Sequence, residues 1–398
     1  MSVLTATYRI VTPMFIGNAE QKADSLRPPS IKGALRFWWR ALNWGRFLRE
    51  AGTASEVLKR LHQEEARLFG STADEAGFGQ GRFLLNVRYF GRSLEPGQLP
   101  LASSGHQYLL GQGLYHFGKK YLRSALEPGQ LCLRLLFRTE TTSKDQKSVA
   151  QALLAMGLLG GLGSRSRKGF GSLAIQTLEG TDLPVPGNLD ALRKMLTDLM
   201  ADSLGDLPPY TAFSRKSRID AIPANAGRDA WTLLGEIGAE MQLYRSWGQN
   251  GKVGGKPAEK NFPDDHDLAR DAVLGNPIGT HPRRAVFGLP HNYFFSSLAA
   301  PNNKLDVNAV SPQLGGGWSD IGNNRRASPL FIHLHEFPDQ SHAGILALLP
   351  AQFLPEGWQI GLKNKGPVRR VTTDPDWTVL HGFMDRFTNR RLLLEAQP

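Results

Sequence analysis

Residues 27–43 read R-P-P-S-I-K-G-A-L-R-F-W-W-R-A-L-N. Pro28 and Pro29 bias the residues ahead of them away from the α region, so the helix is expected to start after them, with Ser30 as N-cap. From Ile31 onward apolar residues recur at helical spacing, and Ile31, Leu35, Trp38 and Leu42 share one face. Lys32, Arg36, Trp39 and Asn43 share a neighbouring face, with Arg40 beside them. One side of the helix suits a core, and the other is cationic and aromatic. Cations engage phosphates and an indole stacks on a base, so Lys32, Arg36, Trp39 and Arg40 are candidate nucleic-acid contacts. The competing reading is an ordinary amphipathic helix with solvated charges and Trp39 at the core's edge.

Composition favours the first reading. The chain has 398 residues, which suits two domains, and a hydrophobic share of 41% that excludes global disorder. Lys and Arg number 47 against 36 Asp and Glu, a net charge of +11. The isoelectric point lies near 9.8. That excess points to an anionic partner, nucleic acid before membrane. No apolar run has the length of a membrane span and no signal pattern opens the chain. The single cysteine, Cys132, excludes an internal disulfide and a thiolate metal cluster. A reducing, cytoplasmic location is the expectation.

Along the first 180 residues the periodicity predicts a strand over 3–11, the helix above, a helix over 55–69 and a strand over 82–89. A glycine-punctuated loop over 70–81 separates the last two. A polar stretch over 96–121 reads as a surface insertion. A strand over 130–138, a helix over 147–159 and a strand over 170–178 follow. The order is that of a ferredoxin-like split βαβ unit, which also serves RNA-recognition modules; a less regular α+β domain is the alternative. A Gly-, Pro- and Asp-rich run over 179–187 marks a boundary, dividing the chain into 1–180 and 188–398. Beyond it, helices are expected over 189–204 and 230–247, and a flexible lysine-bearing loop over 248–267. Short strands are expected over 285–288, 328–337 and 344–349, and a last helix over 376–394.

Residues 157–173 read G-L-L-G-G-L-G-S-R-S-R-K-G-F-G-S-L, between a helix and a strand. Gly160 and Gly161 suit a left-handed helix end, and the other glycines allow close backbone approach with N–H groups free for an anion. Arg165, Arg167 and Lys168 add cations. Neither the P-loop nor the dinucleotide spacing is present, and the order is helix-to-strand, so phosphates of a polynucleotide are a better target than a nucleoside triphosphate. Gly161, Gly163, Arg165, Arg167, Lys168 and Gly169 therefore join the candidate RNA contacts. A flexible basic loop is the alternative.

The run P-P-S-I-K-G-A-L-R-F-W-W-R followed by G-G-L-G-S-R-S-R-K-G-F-G-S-L resembles the RAMP superfamily of CRISPR-associated proteins. The S-I-K-G-A-L-R-F-W-W-R helix is similar to that of the first-named RAMP subunit of type III-B (Cmr) effector complexes. Arg325-Arg326-Ala327-Ser328-Pro329-Leu330 fits the C-terminal part of the same family, which adds Arg325 and Arg326 to the RNA-binding candidates. The resemblance implies an α+β chain of two ferredoxin-like (RRM-like) domains with insertions, the second more irregular. It implies a non-catalytic subunit serving antiviral defence. Such a subunit caps the end of the ribonucleoprotein that holds the 3′ part of the guide (CRISPR) RNA and helps capture target RNA. Its partners are those RNAs and other RAMP subunits, without cofactor or membrane.

Some RAMP relatives are metal-independent endoribonucleases with a histidine as general base or acid, and guide processing is the alternative function. His106 and His116, near Tyr108 and Lys119, are the nuclease candidates. His333 and His335 alternate along a strand and share a face, with Glu336 on the other, so a two-histidine metal pair is conceivable. Asp264, Asp265, His266 and Asp267 form an acidic cluster that could hold a divalent cation or merely be solvated. No third ligand has diagnostic spacing, and neither metal nor catalytic residue is assigned.

Overall fold

The computed structural model describes residues 2–71, 79–225, 227–299, 303–313, 317–320 and 324–395. Most of the expected 70–81 loop lies outside the described residues.

The first unit consists of β1 (Val3–Ile10), α1 (Pro28–Ala51), α2 (Ala54–Phe69), β2 (Phe83–Phe90), β3 (Gly129–Phe137), α3 (Ser143–Leu159) and β4 (Leu173–Glu179). Its antiparallel sheet runs β2-β3-β1-β4, the ferredoxin-like order. Alternation sets the register: Ala6 lies opposite Leu133 on one side and Leu178 on the other. Leu4, Ala6, Tyr8 and Ile10 all turn inward and are buried. The Tyr8 hydroxyl donates to the Leu153 carbonyl at 2.9 Å, which ties β1 to α3. Cys132, on the other face of β3, is half-buried and free.

The helix boundaries differ from expectation at both N-termini. Arg27, not Ser30, is the N-cap residue of α1, and both prolines lie in its first turn. N–H groups there have no intrahelical partner, so proline loses nothing. In α2 the cap is Thr53, whose hydroxyl accepts from Glu56 N.

After α4 (Leu189–Met200) come β5 (Arg218–Pro223), α5 (Ala230–Arg245), α6 (Pro263–Leu274), β6 (Lys304–Val310), β7 (Leu330–Glu336), β8 (His342–Leu348), β9 (Gln359–Lys363), β10 (Arg369–Val371), α7 (Thr378–Asp385) and β11 (Arg391–Glu395). The sheet β7-β8-β5-β11 repeats the first unit's strand order. The fold is therefore α+β with two ferredoxin-like units.

The irregularity of the second unit has a definite form. Two insertions, one before β7 and one after β8, supply a separate sheet in which β6 pairs with a short strand Tyr293–Phe294 and with β9, and β9 with β10. Residues 283–287 form a 3-10 turn and not the expected strand. The expected 248–267 loop holds a small hairpin, and its acidic end opens α6. The expected final helix stops at Asp385, and Arg391–Glu395 runs as an edge strand on β5. A short apolar run such as Leu392-Leu393-Leu394 suits helix or strand until a pairing edge is available.

One core cluster joins both units, from Leu4 and Trp38 to Phe331, Ile345 and Leu393. A second includes part of the 96–121 stretch, which is not a bare surface insertion. Its helix Ser104–Leu110 packs on α5, with Leu109, Leu110 and Leu114 buried. Among the described residues no helix is long and apolar enough to cross a membrane.

Candidate nucleic-acid interface

The basic face of α1 is partly covered by α2, which packs against it and leaves about a third of the Arg36 and Arg40 side chains exposed. Arg40 donates to both carboxylate oxygens of Glu65, at 2.8 and 2.7 Å. Arg36 lies 3.6 Å from the same carboxylate and donates to the Gly70 carbonyl. The Lys32 ammonium reaches the Phe69 carbonyl at 3.4 Å and sits 5.3 Å from the Phe83 ring centre. Burial pushes its pKa down. Trp39 is 1% exposed, wedged edge-on against Phe47 and Phe69, and its Nε1 donates to Ser148 Oγ at 2.7 Å. The expectation that Trp39 stacks on a base is thus corrected: in this conformation it is core. A helical wheel separates apolar from polar faces but does not say whether a polar face meets water or a second helix carrying a carboxylate.

The glycine-rich segment is a folded joint. Ser164 N donates to the Phe15 carbonyl at 2.7 Å, and Leu162 N to the Gly171 carbonyl at 3.0 Å. Gly163 has φ +86°, and a Cβ there would lie 2.7 Å from the Phe15 oxygen. Gly169, at φ +84°, faces the second unit, where a Cβ would lie 2.5 Å from Leu234 Cδ1. Gly161 packs on the Gly171 backbone, and a Cβ there would lie 2.6 Å from the Gly171 carbonyl oxygen. These glycines are required by this chain's own close packing. The segment also clips the units together. Ile332 N, in β7, donates to the Arg167 carbonyl at 3.1 Å, and Leu334 N to Ser172 Oγ at 3.0 Å.

What the joint presents outward is charge. Arg165, a non-glycine residue at φ +63°, donates through Nε to the Leu110 carbonyl at 2.7 Å and through a terminal nitrogen to the Gln112 carbonyl at 3.0 Å. Arg167 donates to the Ser328 carbonyl at 2.8 Å, with its guanidinium carbon 4.5 Å from the Phe331 ring centre. Burial, then the Arg326 charge, draws Arg167 down to about 10. Arg326 donates to the Gln352 carbonyl at 3.2 Å. Burial lowers Arg165 as well, helped by the neighbouring charges of Arg325 and Arg123. Lys168, half-buried against Met241, is drawn down to about 7 by burial and by Arg245, Arg165 and Arg167. No salt bridge among the described residues reaches Arg123, Arg165, Arg167, Lys168, Arg245, Arg325 or Arg326. The fold gathers Arg165, Arg167, Lys168, Arg325 and Arg326 into one cationic region and leaves Lys32, Arg36 and Arg40 in another.

The glycine-rich joint closes a region, residues 7–174, that matches the family model of the RAMP superfamily. The chain carries a RAMP superfamily domain. Over 66 residues it is 35% identical to the CRISPR system Cmr subunit Cmr1-2 of Pyrococcus furiosus, a match spanning 17% of this chain and 32% of that relative, about a third of its length. The fold is similar to apo Cmr1 from Pyrococcus furiosus, with a TM-score of 0.55 and 16% identity over 100% of both chains. It is also similar to a chain of the type III-B Cmr-beta complex bound to cognate target RNA. There the TM-score is 0.53 at 12% identity, covering 97% of this chain and 99% of the other.

Of the histidines weighed from the sequence, His106, His333 and His335 are buried and His116 is exposed. His106 is buried and stacked on Trp231 with ring centres 3.8 Å apart. Its Nδ1 meets Ser103 at 2.7 Å and its Nε2 the Trp231 carbonyl at 2.8 Å, so both ring nitrogens are engaged. His116 is exposed on a small hairpin, where its Nδ1 accepts from Gly118 N and Lys119 N. His333 and His335 do share a face, but it is buried against the end of α3: His333 Nδ1 meets the Gly160 carbonyl at 2.8 Å, and burial draws its pKa down to about 4. Asp265 is buried and accepts from Arg283 N, Arg284 N and Arg284 Nε, at 2.6, 3.0 and 2.9 Å. The acidic cluster is thus a helix start holding an internal ion pair. No group of three or more His, Cys, Asp or Glu among the described residues could hold a metal.

Arg123 and Arg245 also border this cationic region, and the sequence reading does not single them out. Arg245 did carry a signal, since it ends a largely apolar helix and is followed by Ser246, Trp247 and a glycine-rich turn.

Proposed function

We propose that this chain is a non-catalytic RNA-binding subunit of a type III-B CRISPR ribonucleoprotein, located where the 3′ part of the guide RNA is held, and that it helps capture target RNA. Guide RNA, target RNA and other RAMP subunits are its partners in this reading. The observation that carries it is the uncompensated cationic region at the joint of the two units, from Arg123 and Arg325 through Arg165 and Arg167 to Arg245. Backbone carbonyls accept from Arg165, Arg167 and Arg326 without cancelling their charge. A polyanion relieves their mutual repulsion and releases its counterions. The similarity to Cmr chains supports the assembly.

The test is binding of single-stranded RNA at several salt concentrations. Arg325→Ala and Arg123→Ala, which break no described hydrogen bond, should each weaken binding whatever the RNA sequence. Each should reduce the salt slope by about one unit. Unchanged slopes in both variants would refute the assignment. Specific, histidine-dependent cleavage of repeat RNA would overturn its non-catalytic part in favour of guide processing.

A further inference from the structure

Arg245 also lines a polar cavity of about 600 Å³ between the end of α5, the hairpin after it and the Tyr293–Phe294 strand. The volume suits one nucleotide and falls within the usual range of ligand sites. Its wall is aromatic: Trp247 stacks on His266 with ring centres 4.0 Å apart, and Tyr293 lies parallel to Phe295. Phe294 at the rim is 64% exposed and makes no ring contact among the described residues. Two lining residues have a buried polar atom without a hydrogen-bond partner, Arg245 Nε and His291 Nδ1. Of the nine such atoms among the described residues, these two lie at one cavity, where a ligand can satisfy both. Lys260, exposed at the cavity, adds a second cation 5.3 Å from the Trp247 ring centre.

We propose that this cavity holds a single unpaired nucleotide of the bound RNA, its phosphate on Arg245 and Lys260 and its base against Phe294. Arg245 sits close enough to Lys168 to depress its pKa, so the cavity continues the cationic region at the joint. A strand crossing that region places one nucleotide in the cavity while its neighbours remain on the joint. Stacking on an exposed ring is tolerant of base identity, which suits a subunit serving guides of differing sequence. The inference rests on the RNA-binding reading above, and the experiment separates the two.

The full chain is mixed with single-stranded RNAs that carry one 5-iodouridine at different positions, irradiated, and the crosslinked peptides are mapped. At least one RNA should crosslink to Phe294 or Trp247. Phe294→Ala, a change at an exposed side chain, should weaken binding about tenfold with an unchanged salt slope, because a base contact and no charge is lost. If Phe294→Ala binds like the wild type and crosslinks map only to the joint, while Arg325→Ala still lowers the slope, the cavity assignment fails and the RNA-binding reading stands. If the wild-type chain binds no single-stranded RNA, both fall together.

Discussion

Lys168→Met is the sharpest probe of the charge stored at the joint. Methionine keeps the length of the side chain beside Met241 and removes the ammonium. An unfolded chain holds the Lys168 proton up to the ordinary value of 10.5, whereas the folded chain holds it only to about 7. Between those values the unfolded state binds more protons, so the lysine's contribution to stability rises as pH rises. Below about pH 7 the lysine is charged in both states and its full cost is present. At about 1.36 kcal/mol for each step of one in pKa, the gap from 10.5 to about 7 sets a ceiling of about 5 kcal/mol. Lys168 keeps part of its surface in water, and screening brings the expectation to about 1–2 kcal/mol. Denaturant unfolding of both proteins in the absence of RNA provides the assay. The methionine variant should be the more stable at pH 6, by an amount that shrinks between pH 7 and pH 10. A pH-independent difference, or a lysine form that is more stable at pH 6, would refute the reasoning. The same variant should bind RNA less tightly below pH 7, where the wild type presents one more positive charge.

Other expectations concern the parts of the joint that are structural. Trp39→Ala should cost about 3–5 kcal/mol by emptying a core position and orphaning Ser148, while the folded fraction keeps its RNA affinity; denaturation paired with a binding titration reads both. Gly163→Ala should lower the melting temperature without RNA present, because a positive φ and a close carbonyl leave no room for a methyl group; an unchanged melt would mean that the joint is open. Asp265→Asn should cost about 3–5 kcal/mol by leaving the buried Arg284 guanidinium without its carboxylate, and added Mg²⁺ or Ca²⁺ should not restore the loss in denaturant titrations.

The first ferredoxin-like unit is readable from the chain because its strands alternate and its helices carry apolar stripes, and those patterns are local. β1 exposes and buries alternate residues from Val3 to Ile10 in the manner its sequence spells out. The second unit is less readable because its sheet is interrupted twice. β7 lies more than a hundred residues after β5, and no local signal assigns Lys304–Val310 to a separate sheet. The misreading of α1 is of the same kind. Its partner Glu65 is on another helix, and a wheel drawn on one helix cannot show that Arg36 and Arg40 already have a carboxylate. At the glycine-rich segment the residue types were informative, but two roles were merged. The glycines answer to Phe15, Gly171 and Leu234, and the cations alone are free for a ligand.

The distinction between those two groups of cations lies in what accepts their hydrogen bonds. On α1 the acceptor is a carboxylate, so the charge of Arg40 is already partnered by Glu65. At the joint the acceptors are main-chain carbonyls of Leu110, Gln112, Ser328 and Gln352. A carbonyl fixes where a guanidinium sits and satisfies part of its donor set, yet leaves the full positive charge in place. Glycine-dependent packing holds several such cations in this region, where burial first and neighbouring cations second lower the pKa values of Arg165, Arg167 and Lys168. An anion that binds there would offset the smaller share of the cost that comes from neighbouring cations as it forms its own contacts. The glycines therefore contribute to binding indirectly. They fix where the arginines sit and carry no charge themselves, which is why a glycine variant should lose stability before it loses affinity and an arginine variant should do the reverse.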